Sequence, residues 1–449
     1  MKKPHFPHPL TLLTGCILIA AALSYVLPAG QYERRNDPVT GRSVVVAGTF
    51  HEVESAPVGF FQAIVAIPKG MADAADVVFL VFLIGGAFTV VDETGALRNA
   101  VGWLVQRLQS REVLVIPVVS LVFATGGVLE NLQEEIIALV PVLLILTRRL
   151  GFAPLTAVSM SAGAAFVGSA FSPINPFQVG IAQKLAELPL LSAGLFRIVF
   201  LAVALSIWIV ATMRHAVRTQ TVPEIPEESD EGDGDMSPRD LSILGMIVVT
   251  FAVMIWGILG KGWGFDEMSA LFFIMGILAG VVGGLHVMGT AEAYVKGFRS
   301  MAYAALLIGF ARAIFVVLDQ GRIVDTIVHG MFTPVADLPV ALSALGMMVA
   351  HVFVHVPVPS VSGQAVLTMP VLVPLSDLLG LSRQVTVLAY QYGAGLCDLI
   401  TPTNGALMAI LAAGGVEFGE WLKFTLKWYL VLMGLGAAVV FLAIAVGLQ

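Results

Sequence analysis

Apolar runs close to the length of a membrane-spanning helix recur along this chain, beginning with "LTLLTGCILIAAALSYVL" at residues 10–27. Crossing the hydrocarbon of a bilayer takes roughly 20 apolar residues in a helix, and that requirement constrains the fold more than any single motif. A backbone facing lipid has no water to bond, so it must satisfy its own donors and acceptors, and a helix does so within one segment. The chain therefore reads as an all-α polytopic membrane protein. Hydrophobic residues make up 57% of the 449 and charged residues 12%, about half the usual share for a soluble domain. Much of the formal charge of −7 comes from "PEIPEESDEGDGD" (223–235), which reads as a solvated loop. Nothing resembles a nucleic-acid-binding patch.

Lys2 and Lys3 precede the first run. The run is long for a signal-peptide core and no clean small-residue cleavage site follows, so it reads as a first span. The positive-inside rule then places the N-terminus in the cytoplasm. Cys16 and Cys397 lie in apolar segments and read as small core residues, not as a disulfide framework or a metal site.

Two fragments interrupt the apolar pattern in the same way: "FSPINPF" (171–177) and "ITPTNGA" (400–406). Laying one over the other pairs Pro141 with Pro370 at an offset of 370 − 141 = 229, and the same offset pairs Gly151 with Gly380, Pro173 with Pro402 and Asn175 with Asn404. Further upstream "PKG" (68–70) lies over "VKG" (295–297), and Asp92 meets Asp319, both at 319 − 92 = 227. Such a sustained offset predicts an internal duplication. Arg107, Arg111, Arg148 and Arg149 flank the central block of the first copy, and the matching places in the second hold no Lys or Arg. Lys423 and Lys427 follow the second interruption, where the first copy has "ELPLLSAGL". Because basic residues stay cytoplasmic, the two copies are expected to be inverted-topology repeats.

The expected plan places the first repeat at 1–218, with spans at 10–27, 72–91 and 195–213 and an external loop at 28–57. That loop carries a small hairpin around its Asp-Pro and Thr-Gly turns. A re-entrant hairpin (113–146) and a broken span (152–188) complete the copy, and "GALRNAVGWLVQRLQ" (95–109) reads as an interfacial helix. An acidic cytoplasmic linker (219–240) and one extra span (241–259) lead to the second repeat, 260–449. Its parts are spans at 270–285, 301–318 and 425–446, a hairpin at 337–378 and a broken span at 381–418. This makes nine full crossings and two hairpins, with the C-terminus outside.

A helix broken at membrane depth frees N–H and C=O groups, tolerated only where they line a cavity or are buried in protein. Proline removes a donor and clashes with the preceding turn. The half-helix that follows offers N–H groups and a positive partial charge suited to a carboxylate, while unwound carbonyls suit a cation. Ser172, Asn175 and Gln178 in the first copy, Thr401, Thr403 and Asn404 in the second, and Ser360, Ser362 and Gln364 at the second hairpin tip are the candidate substrate- or ion-binding residues. A proline kink capped by local side chains is the plainer reading of either break alone; the symmetric pair favours a binding site.

Charges inside apolar segments add to this. Glu130, Glu134 and Glu135 crowd the first tip, where an adjacent buried pair needs a cation or proton and suits sodium, a proton or a substrate ammonium group. Arg312 is expected either to neutralise one of them, to hold a substrate carboxylate, or to form a structural salt bridge. Asp398 is a coupling-ion candidate, sodium or proton. His351 and His355 share a helical face in "HVFVH" but lack the glutamate of H-E-x-x-H. Packing is their plainest role and proton coupling the alternative. Tyr390, Gln391 and Tyr392 are expected to face the cavity.

The motifs "AIPKGMADAADVVFLVFLIGGAF", "NPFQVGIAQ", "PSVSGQAVLTMPVLVPLSDLLGLSRQ" and "LITPTNGALMAIL" resemble those of the YfcC/DcuC-type anaerobic dicarboxylate carriers of the ion transporter superfamily, across nearly the whole chain. The resemblance implies a bacterial inner-membrane secondary carrier of a small amino acid or organic acid, an elevator motion, no cofactor beyond a coupling ion, and a homodimer. The sequence departs from that pattern at "NLQEE", at Val361 in "PSVSGQ", and at "GAGLCDLI", where Ala394 stands for an acidic residue and Asp398 appears instead. An ion channel is the expectation from another class, and hairpins closing from both sides argue against it. Neither G-x-S-x-G, H-E-x-x-H nor a nucleotide loop occurs, so no enzyme is expected.

Overall fold

The computed structural model describes residues 8–36, 43–97, 99–100, 103, 112–221, 236–261 and 263–448. Most of the expected interfacial helix and the acidic centre of the linker lie outside the described residues. The rest is helical, apart from two small antiparallel strand pairs in the segment after the first helix.

Helix α1 (Pro9–Val26) leads into that segment. Strands β2 (Arg34–Asn36) and β3 (Ser43–Val45) form the expected hairpin, while β1 (Gly30–Gln31) pairs with β4 (His51–Glu52). Asp325 anchors the segment: it accepts from Tyr32 N at 2.9 Å and pairs with Arg34 Nη2 at 2.8 Å. Burial and then the Asp325 charge push the Tyr32 phenol up to about 12, so it stays protonated against His329 Nδ1, 3.0 Å away.

Helix α2 (Phe60–Asp73) was not expected from the sequence, because Pro68 and Lys69 interrupt its apolar pattern. It kinks at Ala74 into α3 (Ala75–Glu93). The pair packs along α11 (His286–Gln320), one unbroken helix of 35 residues that includes the expected span 301–318. Glycines allow the close approach: a Cβ on Gly297 would lie 2.6 Å from Gly86 Cα, and one on Gly70 2.5 Å from Gly309 O. Backbone contact of this kind is how helices associate where lipid removes the hydrophobic drive.

Between these lie α4 (Val115–Glu130), α5 (Glu134–Arg149), α6 (Pro154–Ala170), the short α7 (Ile181–Leu185), α8 (Gly194–Thr219), α9 (Pro238–Lys261) and α10 (Phe265–Val282). After α11 come α12 (Val324–Phe332), α13 (Val340–His355), α14 (Val361–Leu378), α15 (Arg383–Gly395), α16 (Gly405–Ala413) and α17 (Phe418–Ala445). Among the described residues, seven helices are long and apolar enough to cross a membrane, against nine expected crossings. Four expected spans, α1, α6, α9 and α15, are not among the seven, α6 and α15 because a break halves a helix, whereas two arms that were not counted as crossings, Glu112–Leu129 and Val361–Leu378, reach full length.

Positions 229 apart adopt the same local structure. Gly151 (φ 72°) and Gly380 (φ 66°) both occupy the left-handed region, which suits glycine at a helix C-terminus. Phe152 N donates to Thr147 O and Leu381 N to Ser376 O, each at 2.8 Å, completing identical Schellman ends (381 − 152 = 376 − 147 = 229). Pro141 and Pro370 both sit inside the preceding helices. The offset then changes once. Gly180 N donates to Asn175 O five residues back, whereas Met408 N donates to Asn404 O four back. The π turn Pro176–Gly180 thus holds one extra residue, and beyond it the offset is 408 − 180 = 228.

Candidate functional site

Each break is built by an asparagine. After α6 the chain unwinds over 171–175, and Asn175 Oδ1 accepts from the N–H groups of Phe177 (2.9 Å) and Gln178 (3.1 Å). After α15 and a 3-10 turn it unwinds over 400–404, and Asn404 Oδ1 accepts from Leu407 N at 3.0 Å. The side chain thus caps the new helix and satisfies donors freed by the break.

Each break also reaches across to the tip of its own hairpin. Asn175 Nδ2 donates to Gly127 O and Ser172 Oγ to Val128 O, both at 2.7 Å. Thr403 Oγ1 donates to Val356 O at 2.6 Å. Gly127 and Val356 are again 356 − 127 = 229 apart. The first tip turns at Asn131, left-handed at φ 58°, and its side chain meets Ser169 Oγ.

The polar partners then diverge. Gln178 Nε2 donates to Gln391 O at 3.1 Å, and Gln391 Nε2 to Ser172 O at 2.7 Å. Gln391 Oε1 accepts in turn from Arg197, which also donates to Gln384 Oε1 at 3.1 Å. Arg197 is fully buried and, among the described residues, bonded only to neutral amides. At the second break a buried carboxylate takes the central place. Asp398 Oδ1 accepts from Asn404 Nδ2 at 2.7 Å and lies 3.0 Å from His355 Nε2, while Oδ2 accepts from Gln133 Nε2 at 2.9 Å. Gln364 bridges His355 to His351.

A cavity of about 930 Å³ lies between the first tip, the second tip and the second break. Glu134, Glu135, Ser360, Ser362, Asp398, Thr403 and Asn404 line it. Ser172, Asn175, Gln178, Gln364 and Thr401 do not; they are buried behind it, the first four in the hydrogen bonds just described. Tyr390, Gln391 and Tyr392 are also packed and not cavity-facing, which corrects the expectation: Tyr390 donates to Val361 O and Gln391 braces the first break. Arg312 lines the cavity but pairs with Asp73, so of its three expected roles the structural salt bridge is realised and neutralisation of the tip glutamates is not. The Glu130 side chain lies outside the described residues.

Glu134 and Glu135 begin α5 with Asp76 of α3 on the same cavity. Glu135 Oε2 accepts only a 3.3 Å bond from Gln133 N, and among the described residues no cation pairs with any of the three acids. The sequence reading missed Asn131, Gln133, Ser169, Gln384 and Arg197. Ser169 had a signal: it is the offset partner of Asp398 (398 − 169 = 229), and both accept from the asparagine of their break.

Long apolar helices, two helices broken and capped alike, and a polar cavity at the breaks define a membrane transporter. Comparison with known proteins narrows the class. The profile of the family described as "C4-dicarboxylate anaerobic carrier" (DcuC) matches residues 6–446. The Escherichia coli (strain K12) protein named "Putative basic amino acid antiporter YfcC" is 35% identical over 372 residues, covering 78% of this chain and 74% of its own. A Haemophilus influenzae protein without an assigned function is 27% identical, covering 97% and 96%. This chain belongs to the DcuC family of carriers. Among solved structures it is similar to the Alcanivorax borkumensis YdaH transporter (17% identity, TM-score 0.45, covering 98% and 99%) and to Neisseria gonorrhoeae MtrF (19%, 0.40, 97% and 94%).

Proposed function

We propose that the chain is an ion-coupled secondary carrier of an amino acid in a bacterial inner membrane, binding the cationic end of its substrate against Glu134, Glu135 and Asp76. The observation that carries this reading is the wall of carboxylates without basic partners on the cavity between the two hairpin tips. A substrate ammonium or guanidinium group there supplies the missing counter-charge. The name of the Escherichia coli relative agrees with it. The second reading, a dicarboxylate carrier, is favoured by the family description and by Arg34, Arg312 and Arg322 elsewhere on the same cavity.

The matched Schellman ends, breaks and tip contacts support two inverted repeats moving by an elevator mechanism, with the N-terminus cytoplasmic and the C-terminus periplasmic. The coupling ion is sodium or a proton, and the unit is a homodimer.

Thermal unfolding of the purified protein, with arginine, ornithine, succinate or fumarate and with or without sodium, tests the substrate class. A ligand at 100 times its Kd adds about 2.7 kcal/mol to the native state. Stabilisation by an amino acid is expected, with loss of the shift in Glu134→Gln. Stabilisation by dicarboxylates alone overturns the amino acid reading in favour of the second.

A further inference from the structure

Hydrogen counting around Asp398 shows more than its position. Leu407 N–H can only donate, so Asn404 must present its oxygen there and its Nδ2 to Asp398 Oδ1 (2.7 Å) and Gln133 Oε1 (3.3 Å). That fixes the Gln133 amide, whose Nε2 donates to Asp398 Oδ2 at 2.9 Å. On the far side, His351 O can only accept, so Gln364 presents Nε2 to it at 2.9 Å and Oε1 to His355 Nδ1 at 3.1 Å. His355 Nδ1 must therefore carry a hydrogen. Gln364 Nε2 also meets His351 Nδ1 at 2.9 Å, which makes His351 the neutral ring with its hydrogen on Nε2. Every amide is now oriented by a backbone group at the end of its chain of contacts.

One contact is left, Asp398 Oδ1 to His355 Nε2 at 3.0 Å, between groups 2% and 0% exposed. Without a hydrogen, two lone pairs would face each other in a buried site. We infer that Asp398 and His355 together hold one proton, on Nε2 or on Oδ1, and that this proton is the coupling ion of the carrier. The inference rests on the carrier reading only for its second half. Two of the three contacts to the carboxyl group are amide nitrogens whose hydrogens point at it, and the third holds the shared proton. A sodium ion, which needs oxygen lone pairs around it, is thus not accommodated on Asp398 in this geometry.

The groups around the pair are His351 beyond Gln364, Glu134 and Glu135 on α5 and Asp76 on α3, and Cys397 beside Tyr429 of α17. Glu134 lies within electrostatic reach of Asp398, so cation binding at the acidic wall and proton occupancy at Asp398 work against each other. Releasing the proton removes the Asp398–His355 bond and leaves Thr403 Oγ1 to Val356 O as the tie between the second break and the second hairpin. A substrate cation arriving at Glu134 therefore favours proton departure and a looser hold on that hairpin, which is the behaviour of an exchanger.

The test uses the full-length protein in lipid vesicles at neutral pH, with 15N-labelled histidine. Expected is an imidazolium signal that disappears in His355→Gln, or a protonated-carboxyl infrared band that disappears in Asp398→Asn. A neutral His355 with an ionised Asp398 overturns the proton site. A pH jump read by an indicator dye should release one proton more per molecule from wild type than from His355→Gln, and equal release also overturns it. Coupling is read in wild type alone, with labelled arginine and labelled succinate as probes. A pH gradient in sodium-free buffer should drive uptake at least tenfold above the ungraded control. Uptake answering only a sodium gradient overturns the coupling half. No uptake of either probe under any gradient sinks the carrier reading instead, and the spectroscopic result still decides the proton site.

Discussion

The two breaks share a backbone and differ in the polar group each is built around. Both are capped by an asparagine and tied to the equivalent carbonyl of a hairpin tip. Behind the first stands a buried cation, Arg197, held by glutamine oxygens. Within the second stands a buried carboxyl group, Asp398, held by amide hydrogens and a histidine. Ser172, Asn175 and Gln178 of the first are buried behind the cavity, onto which, among the described residues, Phe177 alone of its motif opens, whereas Asp398, Thr403 and Asn404 of the second line it. The two breaks thus share a frame, and a few differing side chains make one a buried brace and set polar groups on the cavity at the other.

Removing the Asp398 carboxyl group should have the largest effect. Asp398→Ala leaves Gln133, Asn404 and His355 facing a void, which should cost about 3 kcal/mol or more, read as a lower Tm in detergent together with loss of uptake. If the variant melts like wild type, the second break is not organised around Asp398.

Next come the caps. Asn175→Ala and Asn404→Ala each lose a cap and a cross-contact, about 2 kcal/mol, and each should abolish uptake in a folded protein. Normal uptake in both would end the idea that the breaks form the site. Gly127→Ala sharpens the contrast within that range. Its Cβ would lie 2.0 Å from Ala165 O, whereas the matching position already carries Val356, 45% exposed. Overpacking of about 1–3 kcal/mol is expected, while Val356→Ala should melt within about 0.5 kcal/mol of wild type.

The smallest effect tests sameness. Gly151→Ala and Gly380→Ala each force alanine into the left-handed region, with open space around the new Cβ at Gly380, costing about 1 kcal/mol. Equal falls in Tm support equivalent helix ends; a difference well beyond that would separate them.

The sequence disclosed most where a residue type answers a backbone need. Gly151, Gly380, Asn175 and Asn404 could be paired by counting because left-handed turns and caps accept few residues. Arg312 was left with three open roles, since the partner that decides among them, Asp73, is 239 residues away and belongs to a helix that the pattern concealed. Arg197 and Gln133 were passed over for a related reason. A glutamine or a single arginine in an apolar run acquires its meaning only from what packing brings within about 3 Å, and no local pattern carries that information. Asp398 was singled out as a carboxylate in an apolar stretch, but the donor set that specifies its proton comes from three separate segments.

The π turn after Asn175 has a consequence for what the two halves can read. One added residue rotates everything beyond it by about 100° on the helix axis. Gln178 and Leu407 still match, each donating its N–H to the asparagine of its break, but from Gly180 onward the first copy is turned relative to the second. Without that slip the two half-helices would present equivalent faces beyond their breaks; with it the faces differ, and the difference is written in a count of residues rather than in their identity.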